Sequence, residues 1–175
     1  MHEDHVTPIL RAIKNRRSVR EFTAREVSEQ QLQQILEAGR WAPSGLNNQP
    51  WRFVVVKEKD LLEKVARHTR YPRILREANV IIAVFLDTDE MYDRTKDVQA
   101  IGACIQNMLL TIHEMGLGAC WLGEILNQRA QVEKLLDVPK SFELMAVLAI
   151  GYPQLKERKS SRKPINDLVY KVFTH

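Results

Sequence analysis

Three nearly continuous apolar runs constrain the fold of this chain more than any other feature. They cover residues 51–56, 80–86 and 144–150, and a shorter run lies between the last two, at 117–122. A strand with one solvated face alternates apolar and polar residues, so continuous runs are typical of strands buried on both faces. Such strands need helices on both sides. The sequence therefore predicts a central sheet in a three-layer α-β-α arrangement.

Helical patterns separate these runs. Thr7-Pro8 has the sequence of an N-cap and a first helical residue. Ser28 and Gln31 have the spacing of a capping box, which predicts a second helix start. From Asp97, apolar residues recur at alternating spacings of three and four, which predicts one long helix that Gly116 ends.

Three further segments are less strongly marked. Leu61, Leu62 and Val65 predict one helix between the first two strands, residues 127–136 predict another helix, and the polar residues 87–96 predict a loop. The long helix carries about two and a half heptad-like repeats, fewer than a coiled coil needs. It fits a core helix, and it also fits a helix that packs across a dimer interface.

The composition is that of one globular domain covering residues 1–175. No run approaches the roughly 20 apolar residues of a membrane-spanning helix, and the first residues do not resemble a signal peptide, so we expect a cytoplasmic protein. The net charge of +4 permits nucleic acid binding. The aromatic residues are not interleaved with the basic ones and no nucleic-acid-binding signature occurs, so no nucleic acid or membrane partner is expected.

No metal site is predicted. Cys104 and Cys120 are too few and too far apart for a metal-binding CxxC pair or a disulfide framework. Their apolar surroundings are typical of small buried hydrophobes, with a redox thiol pair as the other interpretation. His2 and His5 have a spacing that suits a metal, but chain termini usually fray.

Two polar segments together indicate a ligand site. Arg16-Arg17-Ser18-Val19-Arg20 follows the first helix, and residues 41–50 form a Pro-, Gly- and Asn-rich segment before the first strand. Planar guanidinium groups bind phosphate oxygens bidentately, and a turn of this composition supplies unusual backbone angles and polar side chains. Taken alone, arginines at a helix end complement its dipole, and the second segment is an ordinary polar turn.

The two segments resemble the motifs of the flavin-dependent nitroreductase family, R-[RH]-S-x-[RK]-x-F and P-S-x-x-N-x-Q-P-W. The matching residues are Arg16, Arg17, Ser18, Arg20 and Phe22, then Pro43, Ser44, Asn47, Gln49, Pro50 and Trp51. Segments 115–124 and 162–164 extend the similarity over nearly the whole chain. The resemblance implies an α+β fold with a central mixed β-sheet and FMN as the cofactor.

The resemblance also implies a role for each matched residue. Arg16 and Arg162 would bind the phosphate, with Arg17 and Ser18 at the phosphate, ribityl chain or ring edge. Arg20 would place positive charge near N1 and the C2 carbonyl, where reduction puts negative charge. The loop and the segment after residue 121 would contribute Pro43, Ser44, Asn47, Gln49, Leu122 and Gly123, the last two through N–H groups near N5. No catalytic side chain is implied, because the cofactor carries the difficult step.

The implied activity is that of an NAD(P)H-dependent oxidoreductase with a ping-pong mechanism and nitroaromatics, quinones or similar compounds as acceptors. No G-x-G-x-x-G fingerprint occurs, which favours transient nicotinamide binding at the flavin. Family members are homodimers with two flavin sites at the interface, and a swapped tail, here 154–175, would dock on the partner. Two alternatives stay open: a flavoprotein of the same fold that performs reductive dehalogenation or flavin destruction, and a flavin-free basic binding module.

Overall fold

The computed structural model describes residues 7–154 and 159–174. Its strands are β1 Trp51–Val56, β2 Val80–Asp87, β3 Gly118–Leu122 and β4 Phe142–Gly151. Its α-helices are α1 Pro8–Asn15, α2 Glu29–Arg40, α3 Lys59–Ala66, α4 Pro72–Glu77, α5 Arg94–Glu114 and α6 Arg129–Leu135. Short 3₁₀ segments cover Gly45–Asn47, Glu124–Gln128 and Ile165–Asp167.

The four strands form one sheet in the order β1-β2-β4-β3. All three strand pairs are antiparallel. An isolated parallel bridge joins Ser18 to Ala119 at the free edge of β3. The expected α+β class is confirmed, while the sheet is more antiparallel than the mixed sheet that the resemblance implied. Among the described residues, the bridge between Ser18 and Ala119 is the parallel part of the sheet.

The central strands are buried on both faces. The even-numbered residues of β2 from Val80 to Leu86 pack in a core with residues of α2 and α5. The odd-numbered residues from Ile81 to Phe85 pack in a second core with residues of α3, α4 and α6. Full burial of a large apolar side chain contributes about 1.5–3 kcal/mol, so both faces of the sheet stabilise the fold. The three-layer arrangement predicted from the continuous apolar runs is confirmed.

Several helix ends follow their sequence patterns. The Oγ of Ser28 accepts a hydrogen bond from the N–H of Gln31 at 3.2 Å, and Oε1 of Gln31 accepts one from the N–H of Ser28 at 3.0 Å. The capping box at the start of α2 is therefore confirmed. Thr7 caps α1, and Gly116 follows α5 with a φ of 71°, a conformation that glycine adopts without a Cβ penalty.

Three of the helix predictions are wrong in detail. The single helix predicted between β1 and β2 is two helices, because Pro72 begins α4, whose six residues are too few to show a helical period. Helix α5 begins at Arg94 rather than Asp97, because Oδ1 of Asp93 accepts a hydrogen bond from the N–H of Lys96 and caps the helix earlier. The helix predicted at 127–136 is a 3₁₀ segment followed by the shorter α6.

The close approach of residue 19 to the sheet edge depends on Gly118. The N–H of Val19 donates to the carbonyl of Ala119 at 2.8 Å, and an added Cβ at Gly118 would lie 2.5 Å from Cγ2 of Val19. A branched side chain has few alternative rotamers, so the clash would move the backbone.

Gly118→Ala is therefore expected to lower the free energy of unfolding by about 1–3 kcal/mol. Gly102→Ala is the matched control, because an added Cβ there meets nothing within 4 Å and alanine is favoured in a helix by about 1 kcal/mol. Urea denaturation of both variants measures the difference. An unfolding midpoint for Gly118→Ala equal to that of the wild type would contradict the steric argument.

The tail at 159–174 is exposed along its described length. Its apolar side chains include Ile165 at 69% and Phe173 at 84% exposure. The docking of 154–175 on a partner stays a prediction, and residues 155–158 and 175 lie outside the described ranges. Within those ranges, the helices are too short or too polar to cross a membrane.

Candidate functional site

The first half of the predicted site lies where α1 meets the last turn of α5 and the start of β3. Arg16 and Arg17 line a cavity of about 430 Å³ there, together with Leu109 and Ile112 of α5 and residues 116–119. The N–H of Arg16 donates to a carbonyl of the last turn of α1 at 2.9 Å. The end of α1 therefore places both arginines at the cavity.

The two arginines differ in what holds their guanidinium groups. Nη1 of Arg17 donates to the carbonyls of Lys14 at 2.6 Å and Arg16 at 3.0 Å. These carbonyls lie at the C-terminal end of α1. Part of the Arg17 guanidinium group therefore complements the helix dipole, as the alternative interpretation predicted. In contrast, Nε of Arg16 is buried and has no acceptor among the described residues. Leaving a buried donor unsatisfied costs about 1–3 kcal/mol, so Arg16 is suited to bind an anion.

Arg20 lies against β3 and contacts Cys120. Burial raises the pKa of the Cys120 thiol, and the charge and hydrogen bond of Arg20 act in the opposite direction. Burial also raises the pKa of Cys104, to about 12. The two cysteines are buried in different cores, on opposite faces of the sheet. The prediction that both are small buried hydrophobes is confirmed.

The turn after β3 is fixed through Glu124. Its Oε2 accepts hydrogen bonds from the N–H of Arg70 at 2.8 Å and the hydroxyl of Thr69 at 2.7 Å, and these bonds hold the pKa of Glu124 below its usual value. Leu122 is buried, whereas Gly123 is exposed, and an added Cβ at Gly123 would meet nothing within 4 Å. The backbone at Gly123 is therefore open to a ligand.

The second half of the site is the loop between α2 and β1. Leu46, Asn47 and Gln49 have φ values of 54°, 55° and 50°, in the left-handed region. The Oγ of Ser44 accepts a hydrogen bond from the N–H of Gln49 at 3.0 Å, and Nε2 of Gln49 donates to the carbonyl of Asn47 at 3.1 Å. Ser44 and Gln49 therefore stabilise the loop itself, while Asn47 and Pro43 are exposed.

The structure keeps the two halves apart within one chain. Nδ2 of Asn48 donates to Asp97 near the start of α5 at 3.0 Å, whereas His113 near its end lines the cavity. At a rise of 1.5 Å per residue, these two positions on α5 are about 24 Å apart. Strands β1 and β3 are also opposite edges of the sheet, separated by about 14 Å. One chain does not bring all the predicted residues to one ligand.

The predicted residues fall into three groups. Those at the edge of β3 and its cavity are Arg16, Arg17, Ser18, Arg20, Leu122 and Gly123. Those in the loop are Pro43, Ser44, Asn47 and Gln49. Arg162 belongs to the exposed tail, where its Nη1 donates to the carbonyl of Ser161 at 2.7 Å, and it does not line the cavity in the described part of the chain.

Comparison with known proteins assigns the chain to a family. The sequence profile of the nitroreductase family matches residues 13–72 and 65–152. The chain belongs to the nitroreductase family. A protein of Methanothermobacter thermautotrophicus assigned as an NADH dehydrogenase/NAD(P)H nitroreductase is 35% identical over 147 residues, 83% of this chain and 77% of that relative. The family is one of oxidoreductases.

Two other relatives of this nitroreductase-family chain bear on its chemistry. A crystal structure of a Desulfovibrio desulfuricans protein in complex with FMN is 48% identical, with a TM-score of 0.91, and the match covers 95% of this chain and 97% of that one. An iodotyrosine deiodinase of Thermotoga neapolitana is 28% identical over 177 residues, 87% of this chain and 92% of that relative.

Sequence reasoning missed the residues that hold the two halves of the candidate site in place. Asn48 and Asp97 anchor the loop, and Thr69 anchors the turn after β3. The pattern did not mark Asp97 as buried, because an acidic residue near a helix start normally interacts with the dipole at the surface. No three His, Cys, Asp or Glu side chains cluster as a metal site in the described ranges, and His2 and His5 lie outside them.

Proposed function

We propose that this chain binds FMN and transfers electrons from NADH or NADPH, by a ping-pong mechanism, to nitroaromatics, quinones or similar acceptors. The observation that carries the proposal is the buried Nε of Arg16, which has no acceptor among the described residues. A cationic donor in this position is satisfied by an anionic ligand, and FMN contains a phosphate. The 48% identical Desulfovibrio protein supports FMN as that ligand.

The residues present fit this cofactor. Arg16 supplies a donor for phosphate at the cavity, and Arg20 supplies positive charge beside β3. The open space over Gly123 admits a planar ring against the backbone. Together they provide for an anionic end and for a ring that gains negative charge on reduction.

The roles proposed for the individual residues follow the resemblance. Arg16 binds the phosphate, and Arg162, which does not line the cavity in the described part of the chain, joins it when the tail docks on a partner. Arg17 and Ser18 contact the phosphate, ribityl chain or ring edge. Arg20 stabilises negative charge near N1 and the C2 carbonyl. Backbone N–H groups at Leu122 and Gly123 approach N5.

The loop residues Pro43, Ser44, Asn47 and Gln49 reach the same FMN from a second copy of the chain. The separation of about 24 Å along α5 supports this assignment, because the loop of one chain is too far from its own arginines. The exposed apolar tail also supports a homodimer, since its side chains have no cover in one chain. Two composite sites per homodimer, in a cytoplasmic protein, are therefore part of the proposal.

When bound, FMN supplies the two-electron chemistry that protein side chains lack. The chain's own residues hold the phosphate, orient the ring and place the Arg20 charge where negative charge develops. No side chain is assigned a catalytic proton transfer. The nicotinamide and the acceptor would bind in turn, because in a ping-pong order the first product leaves before the second substrate binds.

A second candidate function is reductive dehalogenation on the same fold. The 28% identity to the iodotyrosine deiodinase favours it, since that match covers 87% of this chain, compared with 83% for the Methanothermobacter relative. Flavin destruction on the same fold also stays a prediction. Because the chain belongs to a family of oxidoreductases, a flavin-free basic binding module is disfavoured.

The proposal predicts a yellow purified protein with a flavin absorbance spectrum. NADH or NADPH added without air is expected to bleach the spectrum, and a nitroaromatic or quinone is expected to restore it. Bound flavin that does not bleach would favour dehalogenation. A protein that neither contains nor binds FMN would contradict both candidates.

A further inference from the structure

Asp97 is a buried carboxylate with no ion-pair partner among the described residues. It is 0% exposed, and the other buried acid in the described ranges, Asp87, forms an ion pair. Asp97 instead accepts hydrogen bonds from Nδ2 of Asn48 at 3.0 Å and from the N–H groups of Tyr92 at 2.9 Å and Asp93 at 3.2 Å. A carboxylate is costly to bury unless its oxygens are satisfied, so these donors are essential to its position.

Two of the three donors hold the cofactor loop, which we define as residues 44–49. Asn48 belongs to the loop, and its Nδ2 also donates to the carbonyl of Glu90 at 3.0 Å. Tyr92 packs on the other end of the loop, where an added Cβ at Gly45 would overlap the Tyr92 hydroxyl. Asp97 therefore holds the cofactor loop directly through Asn48 and indirectly through the backbone of Tyr92.

The cofactor loop needs such support because its backbone is strained. Leu46, Asn47 and Gln49 are non-glycine residues in the left-handed region. Residues in this region persist when the surrounding structure over-determines them. The internal bond from Gln49 to Ser44 spans the loop but does not attach it to the rest of the fold. One attachment is the bond from Nη1 of Arg52 in β1 to the carbonyl of Gln49 at 3.2 Å, and the contacts made through Asn48 and Tyr92 attach the rest of the loop.

We propose that Asp97 is a positioning residue for cofactor binding, which acts through Asn48 and Tyr92 to hold Asn47 in the orientation that reaches FMN of the second copy. This inference rests on the proposed function and deepens it. Asp97 does not touch the cofactor. Its effect is to keep the loop in its bound conformation before FMN arrives, so that binding does not have to order the loop.

The test uses the full-length protein freed of flavin and compares Asp97→Asn, Asn48→Ala and the double variant. Asparagine has the shape of aspartate but one acceptor oxygen in place of two, so at least one donor at Asp97 loses its partner. Each single variant is expected to raise the dissociation constant of FMN by about tenfold to a hundredfold, measured by quenching of flavin fluorescence. Both substitutions remove the hydrogen bond between Asn48 and Asp97, so the loss of FMN binding in the double variant is expected to be smaller than the sum of the two single losses, expressed as free energies.

Asp93→Ala is the matched control. Asp93 caps α5 through Oδ1, and its side chain is not bonded to Asp97, which accepts from the backbone N–H instead. The control weakens the same end of α5 without releasing the loop, so its FMN dissociation constant is expected to stay within about twofold of the wild type. An equal loss in Asp93→Ala and Asp97→Asn would overturn the positioning role.

Amide hydrogen exchange without FMN separates this inference from the proposed function. The N–H groups of Asn47, Asn48 and Gln49 are hydrogen-bonded within the loop. Their exchange is expected to be faster in Asp97→Asn and Asn48→Ala but unchanged in Asp93→Ala. Unchanged exchange in Asp97→Asn would overturn the inference even where FMN binds. A wild-type protein that binds no FMN would overturn the proposed function, while the exchange rates would still show whether Asp97 holds the loop.

Discussion

Replacing Arg16 with methionine is expected to weaken FMN binding by about a hundredfold or more without destabilising the flavin-free protein. Hydrogen bonds to charged groups contribute about 1.5–3 kcal/mol each, and a guanidinium group often makes two to one phosphate. In the flavin-free chain, Nε of Arg16 is buried without an acceptor. Methionine keeps the apolar stem and removes that unsatisfied donor, so the free energy of unfolding is expected to be unchanged or to rise by up to about 1 kcal/mol.

The opposite directions of the two effects make this prediction specific. Arg11→Met is the matched control, because Arg11 is an exposed arginine of α1, the helix that Arg16 follows, and does not line the cavity. Fluorescence titration gives the FMN dissociation constant, and urea denaturation gives the stability of the flavin-free variants. The control is expected to bind FMN within about twofold of the wild type, since long-range charge effects are screened by salt. Arg16→Met that is clearly less stable without FMN would show that Arg16 is a structural residue.

Much of the fold was predictable because it depends on local patterns. The continuous run at 80–86 predicted a strand with helices on both faces, and β2 has a separate core on each side. The capping box of Ser28 and Gln31 needs no tertiary information, since both partners lie within one turn. Helix α4 was not predictable by the same route, because six residues do not establish a period.

The site was predictable in its residue types and only in part in its arrangement. The Arg16 and Arg17 segment and the loop at 43–50 are each local, so their composition is sufficient to mark them. Their separation depends on the strand order and on the length of α5, which meets the loop near its start and the cavity near its end. A sequence pattern carries no information on strand order. The same limit concealed Asp97, whose burial comes from two loops that fold over it.

A mixed dimer of Arg16→Met and Ser44→Ala/Asn47→Ala chains is expected to bind about one FMN, although neither variant binds FMN tightly as a homodimer. Each proposed site takes its arginines from one chain and its loop from the other. In the mixed dimer, one site combines the intact arginines with the intact loop, and the other combines both defects. Two affinity tags allow purification of the mixed dimer after co-expression, and flavin absorbance against protein concentration gives the number of sites.

The reciprocal dimer makes the test decisive. It carries Arg16→Met and Ser44→Ala/Asn47→Ala together in one chain beside a wild-type chain, so it contains the same substitutions in the same number. With composite sites, each of its two sites has one defect, and it is expected to bind no FMN tightly. If one chain supplied a whole site, the outcomes would be reversed, with about one FMN in the reciprocal dimer and none in the first. The comparison therefore tests the separation along α5 directly, because both dimers contain the same substitutions in the same number.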